Sequence, residues 1–307
     1  MPIKLLLKIF DTMIVPILLY GAEVWVPSGT FTPEKWDKTT IEKQHTSLLK
    51  QILGLNRSTQ NNSVRAEFGR LPLLVNTHAR VWNYIKYLKN KTDSCAKETY
   101  QIDLGMDNKN SIFKDCELGI KQLIEKNVKK SQDPYNVSLK RVKLILKNDY
   151  VEYWKDKTRN SPTSASYATH KNSYEIEAYL IHVRTKKHRN SLAKLRLSDH
   201  QLHIQSGRQT RPKTPKEQRV CKKCPEYIED EAHFLLECSE DSDIKSDLVL
   251  RIAIDFPQIS VMADNYLRHK FIMKIQDPDI LKSLAFCVNL LFKNREDRTQ
   301  MPKQNEA

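Results

Sequence analysis

The chain has 307 residues and a formal net charge of +14, with 39% hydrophobic and 29% charged residues, enough for one sizeable core or two smaller ones. Its seven glycines form neither GxGxxG nor GxxxxGKS/T, which argues against nucleotide folds built on a glycine-rich phosphate loop. Six cysteines in a chain of this length do not make a disulfide framework, so a reducing compartment, nuclear or cytoplasmic, is expected.

The N-terminal stretch MPIKLLLKIFDTMIVPILLYGAEVW is apolar enough to be mistaken for a membrane or targeting segment. Its uninterrupted run between Asp11 and Glu23 is shorter than the roughly 20 residues that a helix needs to cross hydrocarbon. Lys8, Asp11 and Pro16 also interrupt it. We predict a buried helix that is kinked near Pro16, with no membrane partner. A secretory signal peptide is the alternative.

Apolar residues recur at helical spacing along most of the chain. Thr32 and Pro33 supply an N-cap and a first-turn proline, and Gly54 ends the helix that follows. A short helix is predicted before Gly69. Further helices are predicted at about 73–88, 112–128, 138–154 and 174–183. Residues 160–172 are interpreted as a linker and residues 295–307 as a disordered tail. Since no period-two alternation is long enough for a sheet, the predicted fold class is mainly α.

The stretch CKKCPEYIEDEAHFLLEC contains three cysteines and one histidine in the order Cys-x2-Cys-x8-His-x4-Cys, namely Cys221, Cys224, His233 and Cys238. The first pair has the spacing of a zinc knuckle, and a short helix is predicted to present the second pair. Zn²⁺ suits a mixed sulfur and nitrogen set, and four protein ligands leave no open position, so the ion is expected to be structural. The alternative is three buried free cysteines and a surface histidine. The histidine argues against an iron–sulfur cluster.

The segment from Arg184 to Lys223 holds 13 Lys or Arg residues and two acidic residues. Such a density of cations attracts a phosphate backbone, because each contact releases condensed counterions. RNA and/or DNA is therefore the predicted partner. A solvated linker or a localisation signal in RTKKHR is the alternative. The predicted phosphate-binding residues are Arg184, Lys186, Lys187, Arg189, Lys194, Arg196, Arg208, Arg211, Lys213, Arg219, Lys222 and Lys223.

Four stretches together resemble the C-terminal part of non-LTR (LINE-type) retrotransposon reverse transcriptases. They are ILLYGAEVW (17–25), IEKQHTSLLKQILGLNRSTQNNSVRAEFGRLPL (41–73), SLAKLRLSDHQLHIQSGR (191–208) and the knuckle with its EDEAHFLLEC. The similarity covers most of residues 1–260, in the order of the family. In that family the first stretch follows the palm domain, and the knuckle is thought to help hold template RNA or target DNA. The resemblance thus implies nucleic-acid binding.

Pattern and resemblance together divide the chain into five segments. Residues 1–92 are expected to form a thumb-like helical region that follows a missing palm, and residues 93–172 a helical middle with a linker. Residues 173–260 are expected to form the basic segment with the zinc knuckle, residues 261–294 a helical C-terminal cap, and residues 295–307 the disordered tail.

The resemblance does not extend to a polymerase active site. Family polymerases carry adjacent aspartates in the palm that hold the catalytic metal ions, and this sequence contains no Asp-Asp pair. The chain alone is therefore not expected to be an enzyme, but rather a truncated or standalone remnant that binds nucleic acid. Two alternatives stay open: a zinc-scaffolded protein-interaction module, and a subunit that complements a polymerase palm in trans.

A nuclease active site is a further alternative, at Pro278-Asp279. Some relatives place a restriction-like nuclease downstream of the knuckle, with a Pro-Asp motif followed by an acid and a lysine. Lys293 and Glu296 are the nearby candidates here. However, ILKSLAFCVNLLFKN after this pair has helical apolar spacing, and proline and aspartate are typical of a first helical turn. We therefore predict a helix that begins at Pro278, and no nuclease.

Overall fold

A computed structural model of the chain describes residues 2–26, 30–92, 94–106, 111, 113–128 and 132–300. These residues form 18 α-helices and no β-strand, and their only bridges are the isolated pairs Phe68–Ile176 and Val220–Ile228. The mainly α prediction is confirmed. The chain divides into two compact units, one comprising 3–48 and 70–157, the other comprising 49–69 and the described chain from Thr158 onward.

The first unit is built from helices of 4 to 21 residues that follow one another with short connections. Their bounds are α1 Ile3–Ile9, α2 Val15–Leu18, α3 Ala22–Trp25, α4 Pro33–Trp36, α5 Thr40–Leu53, α7 Leu74–Asn90, α8 Cys95–Gly105, α9 Lys114–Asn127 and α10 Leu139–Arg159. The last residues of α5 and α10 belong to the second unit, as does all of α6, Asn61–Glu67.

The kink predicted near Pro16 takes the form of a π-helical turn, Phe10–Ile14, between α1 and α2. Pro16 has no N–H to donate to the preceding turn. Just before it, the Val15 N–H bonds to the Phe10 carbonyl, five residues back, as in a π-helix. Only one face of this segment is buried. Ile17 is 73% and Tyr20 is 85% exposed, so the prediction of a buried helix is corrected to a half-buried helical segment whose exposed side carries apolar residues.

The core of the first unit surrounds Trp36 and Trp82, neither of which has measurable exposure. Burying the Trp36 indole N–H requires a partner, and its Nε1 donates to Glu42 Oε2 at 2.8 Å. The same oxygen accepts the Leu73 backbone N–H at 2.9 Å. The buried Glu42 carboxylate thereby joins α4 to the start of α7.

In the second unit, helices α12, α13 and α15 each pack against α18. Helix α18 places Leu284, Val288 and Leu291 in this core, all at 1% exposure or less. The helices of the unit after α6 are α11 Ala165–His170, α12 Ala178–His182, α13 Lys186–Arg196, α14 His203–Ser206, α15 Ser242–Asp255, α16 Gln258–Val261, α17 Asn265–Ile272 and α18 Pro278–Gln300.

Two local predictions around residue 170 are wrong. The predicted linker 160–172 contains α11, whose Tyr167 and His170 are buried, and the Tyr167 hydroxyl donates to the Ser63 carbonyl at 3.2 Å. Residues 174–177 are not helical, because they run beside α6 and the Glu177 N–H bonds to the Glu67 carbonyl at 2.9 Å. Local apolar spacing cannot distinguish this pairing from a helix.

Helix α18 begins at Pro278, as predicted, and continues to Gln300. The expected tail is therefore corrected for residues 295–300, where Arg295 and Arg298 bond to Glu229 and Asp241; residues 301–307 lie outside the described residues. Asp279 and Glu296 lie on the same helix, about 26 Å apart along its axis at 1.5 Å per residue, too far to share a metal ion. No described helix combines the length and apolar composition needed to cross a membrane.

Candidate metal centre

Cys221 and Cys224 lie on a tight turn closed by backbone hydrogen bonds. The Cys221 N–H donates to the Tyr227 carbonyl at 2.8 Å, and the Tyr227 N–H donates to the Cys224 carbonyl at 2.9 Å. The isolated bridge between Val220 and Ile228 continues this pairing. The turn directs two thiols to one side, which is the arrangement that the Cys-x2-Cys spacing predicts.

His233 and Cys238 stand at the two ends of a π-helical turn, His233–Glu237. The Cys238 N–H bonds to the His233 carbonyl at 2.9 Å, five residues back. The Asp230 carboxylate accepts the His233 N–H at 2.9 Å and so caps the start of the turn. The short helix predicted from the sequence is present, with a wider turn than an α-helix, and it returns Cys238 towards His233.

The ligand atoms of Cys221, Cys224, His233 and Cys238 all lie within 4.8 Å of one another. The Sγ atoms of Cys221 and Cys238 are 3.8 Å apart. Three sulfurs and one imidazole nitrogen at this separation match the size and donor chemistry of a four-coordinate metal site. These four residues could hold a metal ion.

The imidazole ring of His233 is held in a defined orientation. It stacks on the Tyr227 ring with centroids 5.5 Å apart and an interplanar angle of 17°. Its Nδ1 is 3.3 Å from Glu237 Oε2, whereas its buried Nε2 has no hydrogen-bond partner among the described residues. An unpaired buried nitrogen is costly, and binding a metal ion would satisfy it. A carboxylate on the other ring nitrogen is the usual support for a metal-binding histidine.

The thiols differ in their surroundings. A hydrogen bond with Ser239 lowers the pKa of the Cys224 thiol, and their Sγ and Oγ atoms are 3.4 Å apart. Burial raises the pKa of Cys238 to about 11. Nearby, Lys245 Nζ donates to the Cys238 carbonyl at 2.7 Å. Because a metal binds thiolates, ion binding would have to displace the Cys238 proton.

The twelve predicted phosphate-binding residues fall into three groups by exposure. Lys194 and Arg208 are partly exposed, while Arg189, Arg196 and Arg219 are buried. The exposed residues are Arg184, Lys186, Lys187, Arg211, Lys213, Lys222 and Lys223.

The three buried arginines use their guanidinium groups inside the protein. Arg196 pairs with Glu67 and Glu177. Arg219 donates to the carbonyls of Thr214 and Ile204, and Arg189 donates to the carbonyl of Val183. These interactions leave the three arginines unsuited to holding phosphate, which corrects their predicted role.

A sequence signal for two of these arginines was available. Arg189 and Arg196 share a face of α13 with Leu192 and Ala193, because these positions follow the 3, 4 and 7 spacing of one helical face. Counting charges along the segment overlooked that this face is buried.

Two glutamates that lie between the metal ligands in sequence connect the motif to other parts of the second unit. Glu229 bonds to Arg295 of α18. Glu231 Oε1 lies 3.0 Å from His200 Nε2. Burial alone would raise the pKa of Glu231, but the hydrogen bond and the charge of His200 hold it at about 2. The sequence predicted neither pair, since the partners are 66 and 31 residues apart.

No protein-family model, curated protein or solved structure matches this chain. The resemblance to retrotransposon reverse transcriptases stays a hypothesis.

Proposed function

We propose that this chain binds RNA or DNA through the exposed cations of residues 184–223, with a structural Zn²⁺ held by Cys221, Cys224, His233 and Cys238. The observation that carries the proposal is the position of the four-ligand group at one end of a segment, residues 184–223, with eight exposed Lys and Arg residues. Phosphates of the backbone are the expected contacts, so binding tolerates many sequences.

Zn²⁺ is the ion that best fits the donor set. Three sulfurs and an imidazole form a closed tetrahedral site for Zn²⁺, whereas Mg²⁺ and Ca²⁺ prefer oxygen ligands. The metal would supply folding free energy and would not activate water, because no coordination position is left open. Lys222 and Lys223 lie between two of the ligands and are exposed, so the ion would fix the turn that carries them.

Lys186 and Lys187 support the phosphate assignment by their position on α13. They occupy the first turn of this 11-residue helix, where the helix dipole disfavours positive charge. The backbone N–H groups of a first helical turn have no acceptor within the helix, and they favour an anion. Two exposed lysines at an unfavourable end of a helix are readily explained if they bind a phosphate there.

By its resemblance, we propose that the chain corresponds to the C-terminal part of a retrotransposon reverse transcriptase, downstream of the polymerase active site. Residues 1–307 contain no adjacent aspartates that could hold the catalytic metal ions. A palm supplied by another polypeptide is a variant of this proposal, and the exposed apolar side chains of the N-terminal helix, Leu5, Ile9, Met13 and Ile17, spaced four residues apart, offer it a face.

A second candidate function is a protein-interaction module with the metal site as its scaffold. It is favoured by the exposed apolar side chains on the helices after the knuckle, among them Leu250 at 66%, Ile254 at 79% and Val261 at 83% exposure. Scattered exposed apolar residues are ordinary, but a cluster of them marks protein contacts.

The deciding experiment measures the zinc content of the purified chain, together with RNA and DNA binding at low and high salt. Wild type and Cys221→Ser/Cys224→Ser are compared. One zinc per chain and salt-sensitive binding that the double variant loses would support the proposal. Zinc without nucleic-acid binding would favour the interaction module, and absence of zinc would overturn the metal assignment.

A further inference from the structure

The second unit contains a cavity of about 180 Å³ that is separate from the four metal ligands. Its walls come from the segment before α11, from α14, from the turn before the metal-binding histidine and from α17. Charged or aromatic side chains that line it are Arg208, Lys216, Asp230, Glu231, Tyr266 and His269.

Two buried polar atoms of residues that line this cavity have no hydrogen-bond partner among the described residues. Arg208 donates through Nη2 to the Pro162 carbonyl at 2.9 Å, but its buried Nη1 has no partner among the described residues. His269 is only 3% exposed, and its Nε2 is also without a partner. Buried polar atoms are rarely left unpaired in native proteins, and a ligand in the cavity would satisfy both.

The charges of the lining decide what kind of ligand fits. Arg208 and Lys216 are opposed by the carboxylates of Asp230 and Glu231, so a phosphate would meet repulsion as well as attraction. A neutral ring that presents acceptors on one edge and donors on another matches both signs. Tyr266 is 49% exposed at the cavity and offers an aromatic surface on which such a ring can stack.

We propose that this cavity binds a nucleobase, and guanine in preference to the others. Guanine offers its O6 and N7 acceptors to an arginine, which is the commonest specific contact to a base, and its N–H donors to a carboxylate. This inference deepens the proposed nucleic-acid binding and rests on it: the exposed cations of residues 184–223 would hold the backbone, while the cavity would take one base out of the stack.

The first test uses nucleosides, which carry no phosphate. Guanosine, adenosine, cytidine and uridine are titrated into the full chain and followed by calorimetry or by chemical-shift changes. Guanosine is expected to bind at least about tenfold more tightly than the other three, with little dependence on salt. Equal or undetectable binding of all four nucleosides would overturn the inference and leave the proposed function standing.

The second test compares Arg208→Gln with Arg211→Gln. Both variants remove one positive charge from the same segment, but Arg208 lines the cavity and Arg211 is exposed outside it. With single-stranded oligonucleotides that differ by one guanine, Arg208→Gln is expected to abolish the preference for the guanine-containing strand. Arg211→Gln is expected to weaken binding to both strands equally.

A third variant keeps every charge. Ala165 lines the cavity and is exposed, so Ala165→Leu should reduce the cavity volume without removing a hydrogen bond. Loss of the guanine preference in Ala165→Leu, with unchanged salt dependence, supports the base-binding cavity. A preference that survives both Arg208→Gln and Ala165→Leu contradicts it. Absence of any nucleic-acid binding by wild type, with guanosine still bound, would instead remove the proposed function.

Discussion

Arg196 donates hydrogen bonds from Nε and Nη2 to the two carboxylate oxygens of Glu67, at 3.1 and 3.2 Å, although the residues are 129 positions apart. Its Nη1 donates to the Met273 carbonyl at 2.7 Å, and Glu177 approaches its Nη2 at 2.9 Å. Burial alone would raise the pKa of Glu67, but Arg196 and Lys171 keep it below its ordinary value. The most basic segment of the chain thus contributes an internal ion pair.

Replacing Arg196 with alanine is expected to destabilise the protein by about 3–5 kcal/mol, because the carboxylate of Glu67 would remain buried without its partner. Lys187→Ala, at an exposed position of the same helix, is expected to change stability by less than about 0.5 kcal/mol. Urea unfolding of both variants measures the difference. A loss below about 1 kcal/mol for Arg196→Ala would show that the pair is not buried as described.

The sequence predicted the helices better than it predicted their assembly. The single helix predicted from Pro33 to Gly54 is divided in two, since residues 37–39 are not helical and separate α4 from α5. Gly54 follows the end of α5 as predicted, and apolar spacing located α7, α9 and α10 to within a few residues of their ends, except for the last turn of α10. The four residues that could hold a metal ion were also predicted from the sequence, because their spacing is local. The Arg196–Glu67 pair could not be found, since nothing local to either residue identifies its partner.

Gly69 is required by two features of its surroundings. Its φ is +60°, which favours glycine, and a Cβ there would lie 2.6 Å from the Ile176 nitrogen. Gly69→Ala is therefore expected to destabilise the protein by at least about 1 kcal/mol, from backbone strain and displacement of residues 175–176. Gly105 has nothing within 4 Å of the corresponding position.

Gly105→Ala is the matched control for Gly69→Ala. It is expected to be neutral or slightly stabilising, by up to about 1 kcal/mol, because alanine restricts the unfolded chain. Thermal unfolding of the two variants provides the comparison. If both lowered the melting temperature equally, close packing at Gly69 would not be the cause.

Glu237 is expected to support metal binding through His233, whose Nδ1 lies 3.3 Å from Glu237 Oε2. Glu237→Ala should lower metal affinity by about 10- to 100-fold, as is typical when the partner of a histidine ligand is removed. Competition with a chromogenic zinc chelator measures the change. Glu226→Ala, which removes an exposed acid from the same motif, should leave affinity within a few fold; an equal loss would indicate an effect of net charge.

His78 should make the stability of the protein depend on pH. Burial lowers its pKa to about 3, and neither ring nitrogen has a partner among the described residues. Since the unfolded histidine titrates near 6.5, the unfolded state binds more protons below that pH. Stability is therefore present above about pH 6.5 and declines by about 1.4 kcal/mol per pH unit as the pH falls towards 3.

His78→Phe should remove this contribution. The ring stacks on Phe31 with centroids 5.1 Å apart, so phenylalanine can keep the contact while losing the titratable group. Urea unfolding measures the free energy of unfolding between pH 7.5 and 4.5, which is expected to fall less steeply for the variant than for wild type. The difference in slope should correspond to up to about one bound proton per molecule. Identical slopes for wild type and variant would mean that His78 is not buried in a neutral form.

The exposed lysines of residues 184–223 should govern the salt dependence of nucleic-acid binding. Lys186, Lys187 and Lys222 are exposed. The binding constant K falls as salt rises, and each contact with a phosphate adds about 0.7 to 0.9 to the absolute slope of log K against log salt. The double variant Lys186→Gln/Lys187→Gln should therefore reduce the absolute slope by about 1.4 to 1.8, so that binding depends less on salt. Adding Lys222→Gln should reduce it further.

A matched control separates contact from net charge. Lys38→Gln/Lys43→Gln removes the same charge from exposed positions of the other unit and should leave the slope unchanged. Because screening weakens exposed charges beyond a Debye length of about 10 Å at 0.1 M salt, only lysines that touch the nucleic acid can change the number of released counterions. If both double variants lowered the slope equally, binding would follow total charge, and residues 184–223 would not be the interface.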